Sequence, residues 1–222
     1  MFEGVKDKVV ILTGANGLIG KETYKHLTKN KAIVIAVDIH DDPDKKIYKY
    51  DITKEQDIDS LIEEVLLEYR RIDGLVNLAY PRTKDWGASF ENISLESWRK
   101  NVDMQLNSVF YICQQVLQIM EKQGSGSIVN IGSIYGVVGN DFSLYEEYGG
   151  TSPAAYSAIK GGIINLTRYL ASYYGKKNIR VNCVSPGGIL DEENQHFSFI
   201  KKYCDKSPLK RLGNPEEIAP AI

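Results

Sequence analysis

The 222-residue sequence predicts a doubly wound α/β domain, a three-layer α/β/α arrangement with one parallel sheet. Three observations predict it. Short runs are apolar at consecutive positions, so both faces of those strands are buried. The runs alternate with helix-period segments. The segments between runs are long enough to carry crossovers from one parallel strand to the next.

The elements follow in order. Val9–Thr13 reads as the first buried strand, and a helix-period stretch follows from about Leu18 to Lys29. Ala32–Asp38 is a second buried strand and Ile47–Asp51 a shorter third. Thr53 with Gln56 has the spacing of a capping box. The helix it would open carries Ile58, Leu61, Ile62, Val65 and Leu66 on one side. Leu75–Ala79 is strand four, and a long helix is expected from about Leu95 to Lys122. Ser127–Ile131 is strand five. A helix from Ala154 to Tyr174 is expected to stop near Gly175. Ile179–Val184 is strand six. Asn214-Pro215 with Glu217 opens a last helix, with Asn at the cap and Pro in the first turn. No repeat or low-complexity linker divides the chain, so a single domain over 1–222 is expected.

Composition excludes several classes of function. The chain is 43% hydrophobic and 25% charged, an ordinary globular mixture. A net charge of −2 without a long basic run argues against a nucleic-acid surface. The apolar run Val9–Leu12 is too short for a signal peptide or a membrane span, so a cytoplasmic protein is expected. Cys113, Cys183 and Cys204 are far apart and form no CxxC pair, which predicts free thiols. His26, His40 and His196 lack carboxylates at ligand spacing, so no metal is expected.

Chemistry begins after the first strand, at Gly14-Ala15-Asn16-Gly17-Leu18-Ile19-Gly20. Glycines between a strand and a helix let the backbone approach a pyrophosphate, and the helix N-terminus faces it with N–H donors. Gly14, Asn16, Gly17, Leu18, Ile19 and Gly20 are therefore candidate cofactor contacts. Asp38 ends the second strand. A carboxylate there accepts ribose hydroxyls of NAD and repels the 2′-phosphate of NADP. NAD is expected over NADP.

Taken together, these motifs resemble the short-chain dehydrogenase/reductase family, whose Rossmann fold this pattern matches. The resemblance runs from about Lys8 to the end of the chain. It rests on TGANGLIG, Asp38, Asp51-Ile52, Asn77-Leu78-Ala79, Ser133, Tyr156 with Lys160, and Pro186-Gly187. Tyr-x-x-x-Lys occurs four times, at Tyr50/Lys54, Tyr80/Lys84, Tyr156/Lys160 and Tyr173/Lys177. Only Tyr156 and Lys160 fall on continuous predicted helix, where positions i and i+4 share a face. A phenol with a pKa near ~10 is a poor base until nearby positive charge favours its phenolate. The resemblance implies Tyr156 as acid/base, Lys160 on the nicotinamide ribose and Ser133 on the substrate oxygen. It also implies that Asp51 and Ile52 lie by the adenine, that Asn77 and Ala79 line the cofactor, and that Pro186, Gly187 and Ile189 lie near the carboxamide.

Four features depart from the family pattern. The loop is G-x-x-G-x-x-G, as in the nucleotide-sugar-modifying branch. Tyr80 stands where a glycine is usual. Gln105 stands where a catalytic asparagine holds a relay water; Asn107, two residues on, is expected to face elsewhere. The chain ends at Ile222, inside the last helix, where the family continues into another strand, so truncation is expected.

The link from Ser133 to Tyr156 is longer than usual for the family. Its segment 136–153 is expected to be an inserted substrate-facing loop, with Tyr145 and Tyr148, together with Tyr135, as candidate substrate contacts. "AYPR" (79–82), "SIYGVV" (133–138) and "SPGGILD" (185–191) are similar to a bacterial subgroup linked to flagellin modification and nonulosonic sugar synthesis. That implies a sugar or nucleotide-sugar substrate. The expected activity is NAD-linked interconversion of a secondary alcohol and a ketone on a small molecule, in a homodimer or homotetramer. Two other readings stay open: an epimerase or dehydratase that keeps its NAD, and a non-catalytic NAD-binding protein. Accumulation of NADH would exclude the first, and turnover lost in Tyr156→Phe would exclude the second.

Overall fold

The computed structural model describes residues 3–222. Six strands form one all-parallel sheet: β1 (Val9–Thr13), β2 (Ile33–Asp38), β3 (Ile47–Lys49), β4 (Gly74–Asn77), β5 (Gly126–Ile131) and β6 (Ile179–Val184). Their order, β3-β2-β1-β4-β5-β6, is the doubly wound Rossmann arrangement. The chain reverses direction across the sheet between β3 and β4, which leaves a crevice at the carboxyl ends of β1 and β4.

Period-two alternation splits each central strand between two cores. Val9 and Ile11 of β1, Ile35 and Val37 of β2 and Leu75 of β4 face one side. There they meet α2 (Glu55–Tyr69), α4 (Ser108–Gln123) and α5 (Ala154–Tyr174). Val10, Leu12, Ala36 and Val76 face the other side, with Leu27 of α1 (Leu18–Lys29). This is why the strands read as continuous apolar runs. Among the described residues, no helix is long and apolar enough to cross a membrane.

Several elements differ from expectation. The Thr53/Gln56 capping box does not form: α2 starts after Lys54, and Asp51 accepts from the Thr53 amide (3.0 Å) and hydroxyl (2.7 Å). A carboxylate two residues upstream is the stronger acceptor. The long helix is broken into α3 (Leu95–Val102) and α4 by a π turn over Asp103–Asn107. Gly175 is right-handed and continues into a 3-10 turn; the left-handed stop is Asn178, at φ 58°. The helix α6 (Phe197–Lys206) was not anticipated. The Asn214/Glu217 capping box does form, with Pro215 opening the short α7 (Pro215–Ile218).

Candidate active site

The glycine loop shapes the crevice. Gly14 has φ +69°, and a Cβ there would lie 2.6 Å from the Ala79 amide nitrogen. A Cβ on Gly20 would lie 2.1 Å from the Gly14 carbonyl. Both positions exclude a side chain, and the backbone stays open at the start of α1. The Thr13 hydroxyl accepts from the Leu78 and Ala79 amides at 3.2 and 3.3 Å, which ties the end of β1 to the end of β4. The Asn16 amide donates to Asp38 Oδ2 at 3.0 Å, fixing the carboxylate beside the loop.

A cleft of about 670 Å³ runs along this edge. Its walls include the whole of the 14–20 loop except Ala15, then Asp38, Asp51, Ile52, Ala79, Tyr156, Lys160, Pro186, Gly187 and Ile189. A dinucleotide fits this site: the side-chain-free cradle, the open helix start and a carboxylate at the end of β2 are what its pyrophosphate and ribose require. Burial pushes the Asp51 carboxyl up, but hydrogen bonds from Thr53 and the Lys54 charge outweigh it and hold the group below its usual range.

Tyr156 and Lys160 line one end of the cleft, while Ser133 is buried and not among the lining residues. β5 delivers Ser133 to the carboxyl edge, where it is buried. Its hydroxyl accepts from the Tyr135 amide at 3.2 Å and acts on the Tyr156 phenol, drawing that group's pKa down. Lys160, one turn further along α5, is also buried and donates to the Ile131 carbonyl at 2.8 Å. Its ammonium stands 5.7 Å from the centre of the Tyr156 ring and 5.6 Å from that of Tyr80. Burial pulls the Lys160 ammonium down to about 8. Burial also pushes the Tyr156 phenol up, and the Ser133 hydroxyl offsets only part of that. Within the protein itself, desolvation is thus the larger effect on the Tyr156 phenol.

Tyr80 fills the space left by the absent glycine side of the family pattern. Its ring meets Tyr156 edge-on at 5.8 Å and Trp86 at 5.6 Å, and Trp86 meets Tyr156 at 6.4 Å. Gln105 sits buried inside the π turn. Its Nε2 is, among the described residues, the one buried side-chain N or O atom without a partner. Asn107 is exposed and bonds Asp103 at 2.9 Å, so it does face elsewhere.

Other candidates are placed differently. The Asn77 side chain turns into the core and donates to Asn130 Oδ1 at 2.8 Å, away from the cleft wall. Tyr135, Tyr145 and Tyr148 do not line the cleft either. The loop expected to face the substrate, 136–153, is clasped to α6. Tyr145 packs on Phe199 at 5.5 Å, and Tyr148 stacks on His196 at 4.6 Å. Lys202 donates to the Ser143 carbonyl at 2.9 Å and pairs with Glu146 and Glu147, while Lys206 pairs with Asp141. The loop's acidic side chains Asp141, Glu146 and Glu147 are thus paired with lysines of α6. Pro81, Arg82, Asp191 and Gln195 line the cleft and were not singled out for it from the sequence; Tyr80, noted there as standing where a glycine is usual, lines it too.

Comparison with known proteins agrees with this geometry. The family model described as "Enoyl-(Acyl carrier protein) reductase" matches residues 14–222. The chain is 32% identical to the post-translational flagellin modification protein A of Campylobacter coli, over 96% of this chain and 89% of that one. It is 34% identical to the 3-oxoacyl-(acyl-carrier-protein) reductase of Thermotoga maritima, over 98% of this chain and 89% of that one. A crystal structure of a short chain dehydrogenase from Leptospira borgpetersenii with bound NAD+ superposes with a TM-score of 0.88 at 34% identity. It covers 97% of this chain and 84% of that one.

Proposed function

The chain belongs to the short-chain dehydrogenase/reductase family and is an oxidoreductase acting on CH–OH groups of small molecules with a nicotinamide cofactor; from that premise we propose that Tyr156 is its acid/base. The observation that carries this reading is that Tyr156 and Lys160, one helical turn apart, both line the glycine-lined cleft, with the Lys160 ammonium 5.7 Å from the Tyr156 ring centre. Bound NAD supplies the hydride acceptor and, when oxidised, a positive ring.

The chain's own residues do the rest. Ser133 holds the substrate oxygen beside Tyr156. Tyr156 takes the hydroxyl proton during oxidation and returns one during reduction. Lys160 keeps a positive charge next to the phenol and is aligned by the Ile131 carbonyl. Gln105 offers its unpaired Nε2 to a water, in the role usually held by asparagine. The loop residues 14–20, Ala79, Pro186, Gly187 and Ile189 cradle the cofactor, and Asp51 with Ile52 flanks its adenine. Asp38, held by the Asn16 amide, selects NAD over NADP.

The substrate is a sugar or nucleotide-sugar alcohol or ketone, a reading supported by the similarity to the flagellin modification protein. Residues 1–222 act as one domain, in the cytoplasm, and the 136–153 insertion covers the substrate side together with α6. Exposed Phe110 on α4 and Tyr169 and Tyr173 on α5 support assembly as a homodimer or homotetramer.

The test is Tyr156→Phe, which keeps the ring. Hydride transfer falls by about 100-fold or more while NAD binding is kept. Full turnover in that variant rejects the assignment.

A further inference from the structure

The catalytic end of the cleft carries a cation that nothing above uses. Arg82 lines the cleft with Tyr80 and Pro81. Its guanidinium stands 5.6 Å from the centre of the Tyr80 ring, and that ring touches Tyr156. The charge therefore sits one ring beyond the phenol, within reach of a single small molecule.

Among the described residues no carboxylate pairs with it. The nearest acid in sequence is otherwise engaged, since Asp85 accepts from the Ser97 hydroxyl at 2.8 Å. The segment is also held in place. Pro81 restricts Tyr80 to extended backbone. The Thr83 amide donates to Asn101 Oδ1 at 3.1 Å, and Asn101 Nδ2 returns a bond to the Thr83 hydroxyl at 2.8 Å. A cation on a pinned segment, stacked on an aromatic ring and left without a counter-charge, is preorganised for a planar anion. The adenosine end of the cleft is served by Asp38 and Asp51, so the anion belongs to the substrate rather than to the cofactor. Asp191, which also lines the cleft, accepts from Asn194 Nδ2 through both oxygens at 3.0 Å and forms no ion pair with Arg82 among the described residues.

We propose that Arg82 anchors a carboxylate on the substrate, so that the enzyme acts on a hydroxy or keto acid whose reacting carbon lies at Tyr156. One guanidinium fork matches one carboxylate. The proposal rests on the reading that this cleft performs hydride transfer, and its test separates the two. Calorimetry on the NADH-saturated protein compares gluconate with glucitol, galactonate with galactitol, and glucitol 6-phosphate. At least one acid binds about tenfold or more tighter than its neutral partner. Arg82→Gln removes that preference without moving the urea midpoint, and Arg82→Lys restores part of it. Equal affinity for acid and alcohol, no binding of either acid, or a preference that survives Arg82→Gln overturns the anchor. Tighter binding of the phosphate ester than of gluconate overturns the carboxylate. Acid binding that depends on Arg82, without reduction of NAD+ by either acid, removes the redox reading and leaves the anchor standing. Alcohol oxidation untouched by Arg82→Gln, with no acid preference, does the reverse.

Discussion

Lys160 is buried at a cost that pH can reveal. The unfolded chain holds this proton up to about 10.5, whereas the native side chain holds it only up to about 8. Between those values the unfolded state binds more protons, so native stability rises with pH; below about 8 the cost is present in full. Lys160→Met keeps most of the stem without the charge. It is expected to stabilise the protein at pH 7 by about 2–3 kcal/mol, an advantage that shrinks towards zero by about pH 10.5. Urea unfolding of both proteins at pH 7 and pH 10 checks this, and activity is lost at either pH. The glycine loop gives a second prediction at this scale. Gly20→Ala pushes a methyl group against the Gly14 carbonyl, so NAD affinity falls about tenfold or more with circular dichroism unchanged. These residues were legible in the sequence for different reasons. Glycine spacing encodes where backbone must come close, and Tyr156 with Lys160 shares one helical face. Arg82 was not legible, because its role depends on how the chain leaves β4 past Pro81.

Among the elements, α6 and the 136–153 insertion behave as one cover, joined by two aromatic contacts and the lysine pairs. Each pair is largely exposed, so each contributes little to global stability. Reversing both lysines, Lys202→Glu with Lys206→Glu, sets like charges against Asp141, Glu146 and Glu147. Cleavage by chymotrypsin within the segment, after Phe142, Tyr145 or Tyr148, is expected to speed up several-fold. The urea midpoint shifts by less than about 1 kcal/mol in stability. The sequence hid this partnership because the insertion's tyrosines and acids suit a ligand as well as a helix. The helix itself follows the polar run Asp191–Gln195, and its ten residues carry too few turns to show a clear period. The π turn was hidden too. Its residues are ordinary helix formers, and only the unpartnered amide of Gln105 marks the place where the ladder widens.

At the scale of the molecule, the proposed preference for NAD rests on one strand end, at Asp38, and is expected to show in the melting curve. NAD at about a hundred times its Kd raises the Tm by roughly 5–10 °C, NADP at the same concentration by much less. Asp38→Ser brings the two shifts together, and differential scanning fluorimetry measures all four. The sheet that places Asp38, the glycine loop and Tyr156 along one edge was readable almost entirely from buried apolar runs, because strands enclosed on both faces leave little room for other residues. The aromatic contacts at that edge have a practical consequence. The chain has two tryptophans, and Trp86 lies edge-on to both Tyr156 and Tyr80, while Trp98 packs in α3. Trp98→Phe leaves Trp86 as the sole tryptophan, beside Tyr156, so with excitation selective for tryptophan the arrival of NADH is followed in real time by energy transfer from a native side chain, with no label attached.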